Sequence, residues 1–219
     1  MNIHLNDYCE RLGAIGLNAE PFNAISNIAF IIAGIFAFKQ CRKLPFGAHI
    51  DIYLLCTTLI LIGLGSGAWH LQPTDATLML DIIPITLFIN LYLASLLRRK
   101  FQMKWRYIAC IFALLHKLNY MANSSFAPTT LNGTIFYLPT WLMLVAICAY
   151  ALKRRLTFAL ELVAVSGLWS LSLLFRTIDF AACDEVTIGT HFIGTHFIWH
   201  LLNAIVLYRL LKILLNPKS

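Results

Sequence analysis

Seven apolar stretches divide this chain, at roughly 21–40, 49–70, 76–97, 105–122, 134–152, 157–175 and 191–215. A helix needs about 20 apolar residues to cross the hydrocarbon of a bilayer. It also satisfies its own backbone hydrogen bonds there, which an irregular chain cannot. The pattern excludes a water-soluble fold. Composition agrees: the chain is 59% hydrophobic and only 12% charged, with a mean hydropathy of +0.74. Soluble domains carry about twice that charged fraction. The spacing predicts an all-α membrane protein, a seven-transmembrane helix bundle forming a single domain over 1–219. No soluble domain or linker interrupts the spans. Met1–Gly13 carries Asp7, Glu10 and Arg11 and no basic region ahead of an apolar core, so no cleavable signal peptide is expected.

The formal charge of +7 is not a nucleic-acid signal, because the basic residues alternate along the chain. Lys39, Arg42 and Lys43 follow the first span, and Arg98, Arg99, Lys100, Lys104 and Arg106 separate the third from the fourth. Lys153, Arg154 and Arg155 follow the fifth, and Arg209, Lys212 and Lys218 close the chain. The opposite loops hold only Arg11 and Arg176, while Lys117 sits within the fourth span, where its head can snorkel. By the positive-inside rule the N-terminus is outside and the C-terminus cytoplasmic. Asp7, Glu10, Glu20, Asp75, Asp81, Asp179, Asp184 and Glu185 then fall at the outer end, and Asp51 and Glu161 nearer the inside.

Polar side chains at membrane depth are costly and mark function. His196 and His200 are one helical turn apart in the last span, so both rings can face one ion. Ser66 and His70 repeat that spacing at the end of the second span, at the same depth. Three imidazoles and a water make an open, catalytic zinc site. The blander readings are hydrogen bonds to neighbouring helices for the pair, and a packing interface for Gly63–His70. Asp81 lies one turn into the third span. It could exchange protons with a metal-bound water, or simply be a first-turn carboxylate favoured by the helix dipole. His4, His49, His116 and His191 lack a paired ligand in sequence and read as structural.

The outer tail, 1–20, is acidic. Its Asp7, Glu10 and Glu20 with main-chain carbonyls offer hard oxygen ligands for calcium, although spacing alone favours a solvated tail. Of the six cysteines, Cys41, Cys56, Cys110 and Cys148 fall inside spans or on the cytoplasmic side. Only Cys9 and Cys183 fall outside, where disulfides persist, so they are the expected pair. Two free thiols are the alternative.

The motifs Asp7-Tyr-Cys-Glu10, Glu20-Pro-Phe-Asn23-Ala-Ile-Ser26-Asn27, Gly65-Ser66-x-x-x-His70, Asp81-x-x-Pro84, Ile178-Asp179-x-x-x-Cys183 and His196-x-x-x-His200 occur in this order. As an ordered set they resemble the alkaline ceramidases, within a superfamily of heptahelical hydrolases that includes the adiponectin-type receptors. The resemblance implies zinc held by His70, His196 and His200, Ser66 as a transition-state hydrogen-bond donor, and Asp81 as acid/base. It also implies calcium held by Asp7, Glu10 and Glu20 with carbonyls near Tyr8 and Leu12. The sequence departs there: the position of Leu12 is usually polar, and the spacing to Glu20 is one residue shorter. The short loops fit a bacterial homologue. The expected function is zinc-dependent cleavage of the amide of a ceramide-like lipid to a long-chain base and a fatty acid. The expected partners are a lipid substrate and the bilayer, with no nucleic acid. Two alternatives are a heptahelical lipid receptor or transporter with a structural zinc, and a haem protein with transmembrane histidine ligands.

Overall fold

The computed structural model describes residues 8–14 and 16–216. Asp7 and His4 lie outside these described residues. The helices are α1 (Pro21–Ser26), α2 (Ile28–Cys41), α3 (Ile50–Leu71), α4 (Asp75–Arg99), α5 (Trp105–Ser125), α6 (Leu138–Lys153), α7 (Ala159–Thr177) and α8 (His196–Leu215). Among the described residues, six helical stretches are long and apolar enough to cross a membrane: Pro21–Cys41, α3, α4, Thr130–Lys153, α7 and α8. The fourth expected span is α5, a helix of 21 residues. It falls short of the others in apolarity because it carries Arg106, His116, Lys117, Asn119 and Asn123.

Three expected spans differ in detail. The first is two helices that meet at Asn27. The fifth opens with a 3-10 segment, Thr130–Tyr137, in which Leu131, Asn132 and Gly133 have positive φ. The last begins at His196 rather than 191. The residues before it form a two-stranded hairpin, β1 (Thr187–Ile188) and β2 (His191–Phe192), paired Thr187 to Phe192 and Ile188 to His191. The reason is local: the amides of Ile193 and Gly194 return to the Val186 carbonyl, which holds the chain in a turn.

Helix α3 packs against α1, α2, α4 and α8, and α7 packs against α6 and α8. Side chains such as Phe30, Leu55, Leu59, Phe88, Leu162 and Leu211 fill the centre of the bundle. The α3–α4 contact is unusually close. A Cβ added to Gly65 would lie 1.9 Å from the Leu80 carbonyl oxygen. Pro84 has no N–H to bond that carbonyl, so Leu80 is left free of its intrahelical partner where α3 approaches.

One end of the bundle is basic. Lys39, Arg98, Arg99, Lys153 and Lys212 lie in the last turns of α2, α4, α6 and α8. There Arg99 grips both oxygens of Asp51 at 2.7 and 2.6 Å, and Arg209 grips Glu161 at 2.7 and 2.8 Å. The opposite end holds the last turn of α3 and the first turns of α4 and α8, where the candidate residues gather.

Candidate metal centre

The close contact at Gly65 sets the site. It puts the next residue, Ser66, beside Asp81, and the two side chains interact. One turn on, His70 enters the bundle axis from α3. His196 and His200 enter from the first two turns of α8. All three imidazoles are buried, and their ligand atoms lie within 4.8 Å of one another.

Hydrogen bonds fix which nitrogen each ring presents. His70 Nδ1 is 2.6 Å from the Glu20 carboxylate. A carboxylate only accepts, so Nδ1 carries the proton and Nε2 keeps its lone pair. Ser26 donates its hydroxyl to the Asn23 carbonyl at 2.9 Å. Its oxygen, 2.7 Å from His200 Nδ1, is then an acceptor for that ring too. His200 Nε2 is left buried with no partner, as are both ring nitrogens of His196. Buried polar groups are almost always satisfied. Convergent buried lone pairs, backed at His70 and His200 by a hydrogen bond on the far nitrogen, are the arrangement that metal-ligating histidines adopt. The donor set fits a divalent, nitrogen-preferring ion.

The start of α8 is positioned by Asp179, which is fully buried. It accepts hydrogen bonds from the amides of Thr195 and His196 at 2.7 and 2.9 Å, satisfying donors that a helix N-terminus leaves free. Its other oxygen accepts from the Cys9 amide at 3.0 Å. Burial raises the Asp179 carboxyl above the usual range, and these amides work against that rise. Gly194, at φ +66°, lets the segment pass: a Cβ there would lie 2.3 Å from Asp179 Oδ1 and 2.7 Å from Cys9 Cβ. Cys9 and Cys183 form the expected disulfide, with Cα atoms 5.6 Å apart. Closing a loop this long contributes roughly 2–4 kcal/mol.

The tail is therefore packed over the site, and its Glu10 and Glu20 are held by partners within the chain. Glu10 accepts from the amides of Phe22 and Asn23 at 2.7 and 2.8 Å, at the start of α1. Burial pushes its carboxyl up to about 7, although those two amides hold it down. Glu20 is engaged by His70, by Asn23 at 3.0 Å and by Arg11, whose buried guanidinium also donates to the His70 carbonyl at 2.9 Å. Burial alone would raise the Glu20 carboxyl, but His70 and Arg11 together hold it below its ordinary value. Leu12 is exposed, and Asp7 lies outside the described residues. Among the described residues, the cation facing Glu20 is Arg11.

Tyr8 was expected only for its carbonyl, yet its ring covers the site. It lies 4.8 Å from the His70 ring and 4.2 Å from the His196 ring. His116, expected to be structural, lines the cavity in front of the triad. Arg11, Asp179 and Arg176 carry site roles that spacing did not suggest, since each role depends on partners distant in sequence.

Two adjoining hollows lie in the bundle, one of them bordered by the triad. One is a cavity of about 420 Å³ whose lining includes Tyr8, Ser66, His70, Asp81, His196 and Arg176. The other is a narrow apolar cleft of about 90 Å³ that shares Ile85, Tyr137 and Trp199 with the first and runs along α4 to Leu96. At 1.5 Å per residue, that is about 16 Å of helix. A polar cavity at the triad thus adjoins a narrow apolar cleft. Residues 5–216 match the family model described as Ceramidase, and with nearly the whole chain matched, this protein belongs to the ceramidase family.

Proposed function

We propose that this single-domain protein is a zinc-dependent intramembrane amidohydrolase, cleaving a ceramide-like lipid to a long-chain base and a fatty acid. The observation that carries the reading is the set of orphaned imidazole nitrogens on His196 and His200, beside His70, with Ser66 and Asp81 at hand. A zinc held by these three rings would supply a Lewis acid for the amide carbonyl and a water with a pKa of about 7.

The chain's own residues do the rest. Glu20 and Ser26 lock the tautomers of His70 and His200, as second-shell partners do. Asp81, aimed into the cavity with Oδ1 unpartnered, accepts the proton of the attacking water and returns it to the leaving amine. Ser66 donates to the oxygen of the scissile carbonyl as negative charge develops there. The apolar cleft holds the acyl chain. A receptor or transporter would not need an acid/base carboxylate and a hydroxyl donor side by side at the metal.

For topology we propose seven spans, with α5 as the fourth, the N-terminus outside and the C-terminus cytoplasmic. The support is the segregation of basic helix ends away from the triad. The site then opens to the outer half of the bilayer, where a lipid substrate reaches it without leaving the membrane.

The test is product analysis. Purified protein in lipid nanodiscs should convert an isotopically labelled ceramide to one long-chain base and one fatty acid by mass spectrometry, with activity lost in His196→Ala. Absence of product from every lipid amide offered would contradict the reading.

A further inference from the structure

The cavity in front of the triad has a second wall that hydrolysis alone does not use. It is built from Arg176 in the last turn of α7, Asn90 on α4, and His116, Asn119 and Asn123 on α5. The α5 residues fall at i, i+3 and i+7, on one helical face. That face accounts for part of the modest apolarity of α5: three of its polar side chains line the cavity.

Arg176 is the centre of this wall. Its guanidinium carbon lies 5.4 Å from the Tyr137 ring centre and 5.0 Å from the Trp199 ring centre. Its Nε is buried and has no hydrogen-bond partner. Among the described residues it makes no salt bridge. Three other arginines behave differently: Arg11, Arg99 and Arg209 each hold a carboxylate. Asn90 repeats the pattern on a smaller scale. Its amide nitrogen is used on the Thr86 carbonyl at 2.8 Å, and its buried Oδ1 is left without a donor.

A purely structural Arg176 would be a helix C-terminal cation resting on two aromatic faces. That account explains the rings. It leaves the unpaired Nε and the polar face of α5 without a reason. Tyr8 and Asp81 also act on the guanidinium, but neither reaches Nε, and charges kept within a membrane mark substrate paths.

We propose that Arg176 anchors an anion subsite for a negatively charged headgroup on the amine half of the lipid amide. The inference rests on the hydrolytic reading above, which puts the scissile bond at the triad. The direction follows from the two hollows. The apolar cleft takes the acyl chain, so the amine half lies in the polar cavity. There Asp81, which protonates the leaving amine, and Arg176 act on each other electrostatically. The guanidinium fork suits a carboxylate or a phosphate equally, and the unpartnered Asn90 oxygen suits a hydroxyl or ammonium donor next to it.

The test uses three short-chain lipid amides with one acyl chain in common. They are a neutral ceramide, the same ceramide bearing a phosphate on its primary hydroxyl, and an N-acyl amino acid with a free carboxylate. Each is assayed in nanodiscs with wild type, Arg176→Gln and Arg176→Lys. Wild type should favour at least one anionic substrate in kcat/KM, and which one identifies the headgroup chemistry. Arg176→Gln should erase that preference, an effect of about 10–100-fold for a lost charged hydrogen bond, carried mainly by KM. Arg176→Lys should keep part of it. Equal use of neutral and anionic amides by wild type, or an equal loss on all substrates in Arg176→Gln, would overturn the proposal.

A binding arm separates this inference from the reading beneath it. In the Asp81→Asn background, the favoured anionic amide should raise the melting temperature more than the neutral one. Adding Arg176→Gln should abolish the difference. If no amide is cleaved by wild type, the hydrolytic reading fails. An Arg176-dependent melting shift would still uphold the anion subsite, and its absence would overturn it.

Discussion

The two ends of the bundle handle their charges in opposite ways. At the basic end, Asp51 and Glu161 are each gripped by an arginine in two-point contact, and all four side chains remain partly exposed. Among the described residues, these two carboxylates keep no unpaired oxygen, and exposed pairs of this kind contribute roughly 0–1 kcal/mol. At the site end, Arg11, Glu20, His70, Asp179, His196 and His200 are almost fully buried. All but the His196 ring are tied by side-chain hydrogen bonds, and the His196 and His200 rings are open toward the site. Glu20 is satisfied while the His196 and His200 nitrogens in front of it are not. The basic end is finished as protein. The site end is finished only with something bound, and that difference locates the chemistry more firmly than any single motif.

The comparison breaks most severely if the open groups are dispensable. Asp81→Asn should lower kcat by about 10²–10⁴, the range for a positioned acid/base. Ser66→Ala should cost about 10²–10³ if it serves the developing oxyanion. Both variants should retain the metal, measured by elemental analysis of the same samples. Behind the triad the effect should be smaller. Glu20→Gln should weaken activity or metal affinity by about 10–100-fold, as expected for a second-shell partner. The equivalent change at the basic end, Glu161→Gln, should leave both near wild type.

The tail sharpens the contrast through stability. Removing Arg11 leaves Glu20 buried without its cation, and such half-broken pairs cost about 3–5 kcal/mol. Arg11→Ala should therefore melt well below wild type in a nanodisc thermal assay. Selective calcium chelation of wild type should not move the melting temperature. The reverse pattern would restore calcium in place of Arg11.

The smallest expected effect is at Glu10. Its folded carboxyl is raised above the ordinary 4.5 to about 7. The folded state thus holds this proton more tightly than the unfolded chain. The resulting stability is fully present below about pH 4.5 and is lost as pH rises through about 7. Relative to Glu10→Gln, the wild-type melting temperature should fall across that window. A flat difference would show that Glu10 does not titrate there.

Much of this architecture was legible before any coordinates. Hydropathy located the long helices because the bilayer demands length and apolarity together. One-turn spacing exposed Ser66/His70 and His196/His200, and alternation of basic residues left Cys9 and Cys183 as the outer pair. What stayed hidden depended on tertiary neighbours. Residues 191–195 read as helix by apolarity, and turn geometry around Gly189 and Gly194 overrode it. Arg11 and Arg176 looked like stray outer charges, yet one neutralises Glu20 and the other faces the cavity. Glu10 and Glu20 suggested an ion by composition, whereas their partners are backbone amides and side chains of the same chain. His116 seemed isolated because its companions, Asn119 and Asn123, matter only once α5 is turned toward the triad.

The most direct test of the central claim is metal reconstitution read against turnover. Protein stripped by a strong chelator in nanodiscs should lose ceramide hydrolysis while keeping its helical circular dichroism. Titrating zinc back should restore activity linearly and saturate at one ion per chain, with no recovery in a variant carrying His70→Ala, His196→Ala and His200→Ala. Full hydrolysis by the stripped protein, or full zinc binding by the triple variant, would contradict the account.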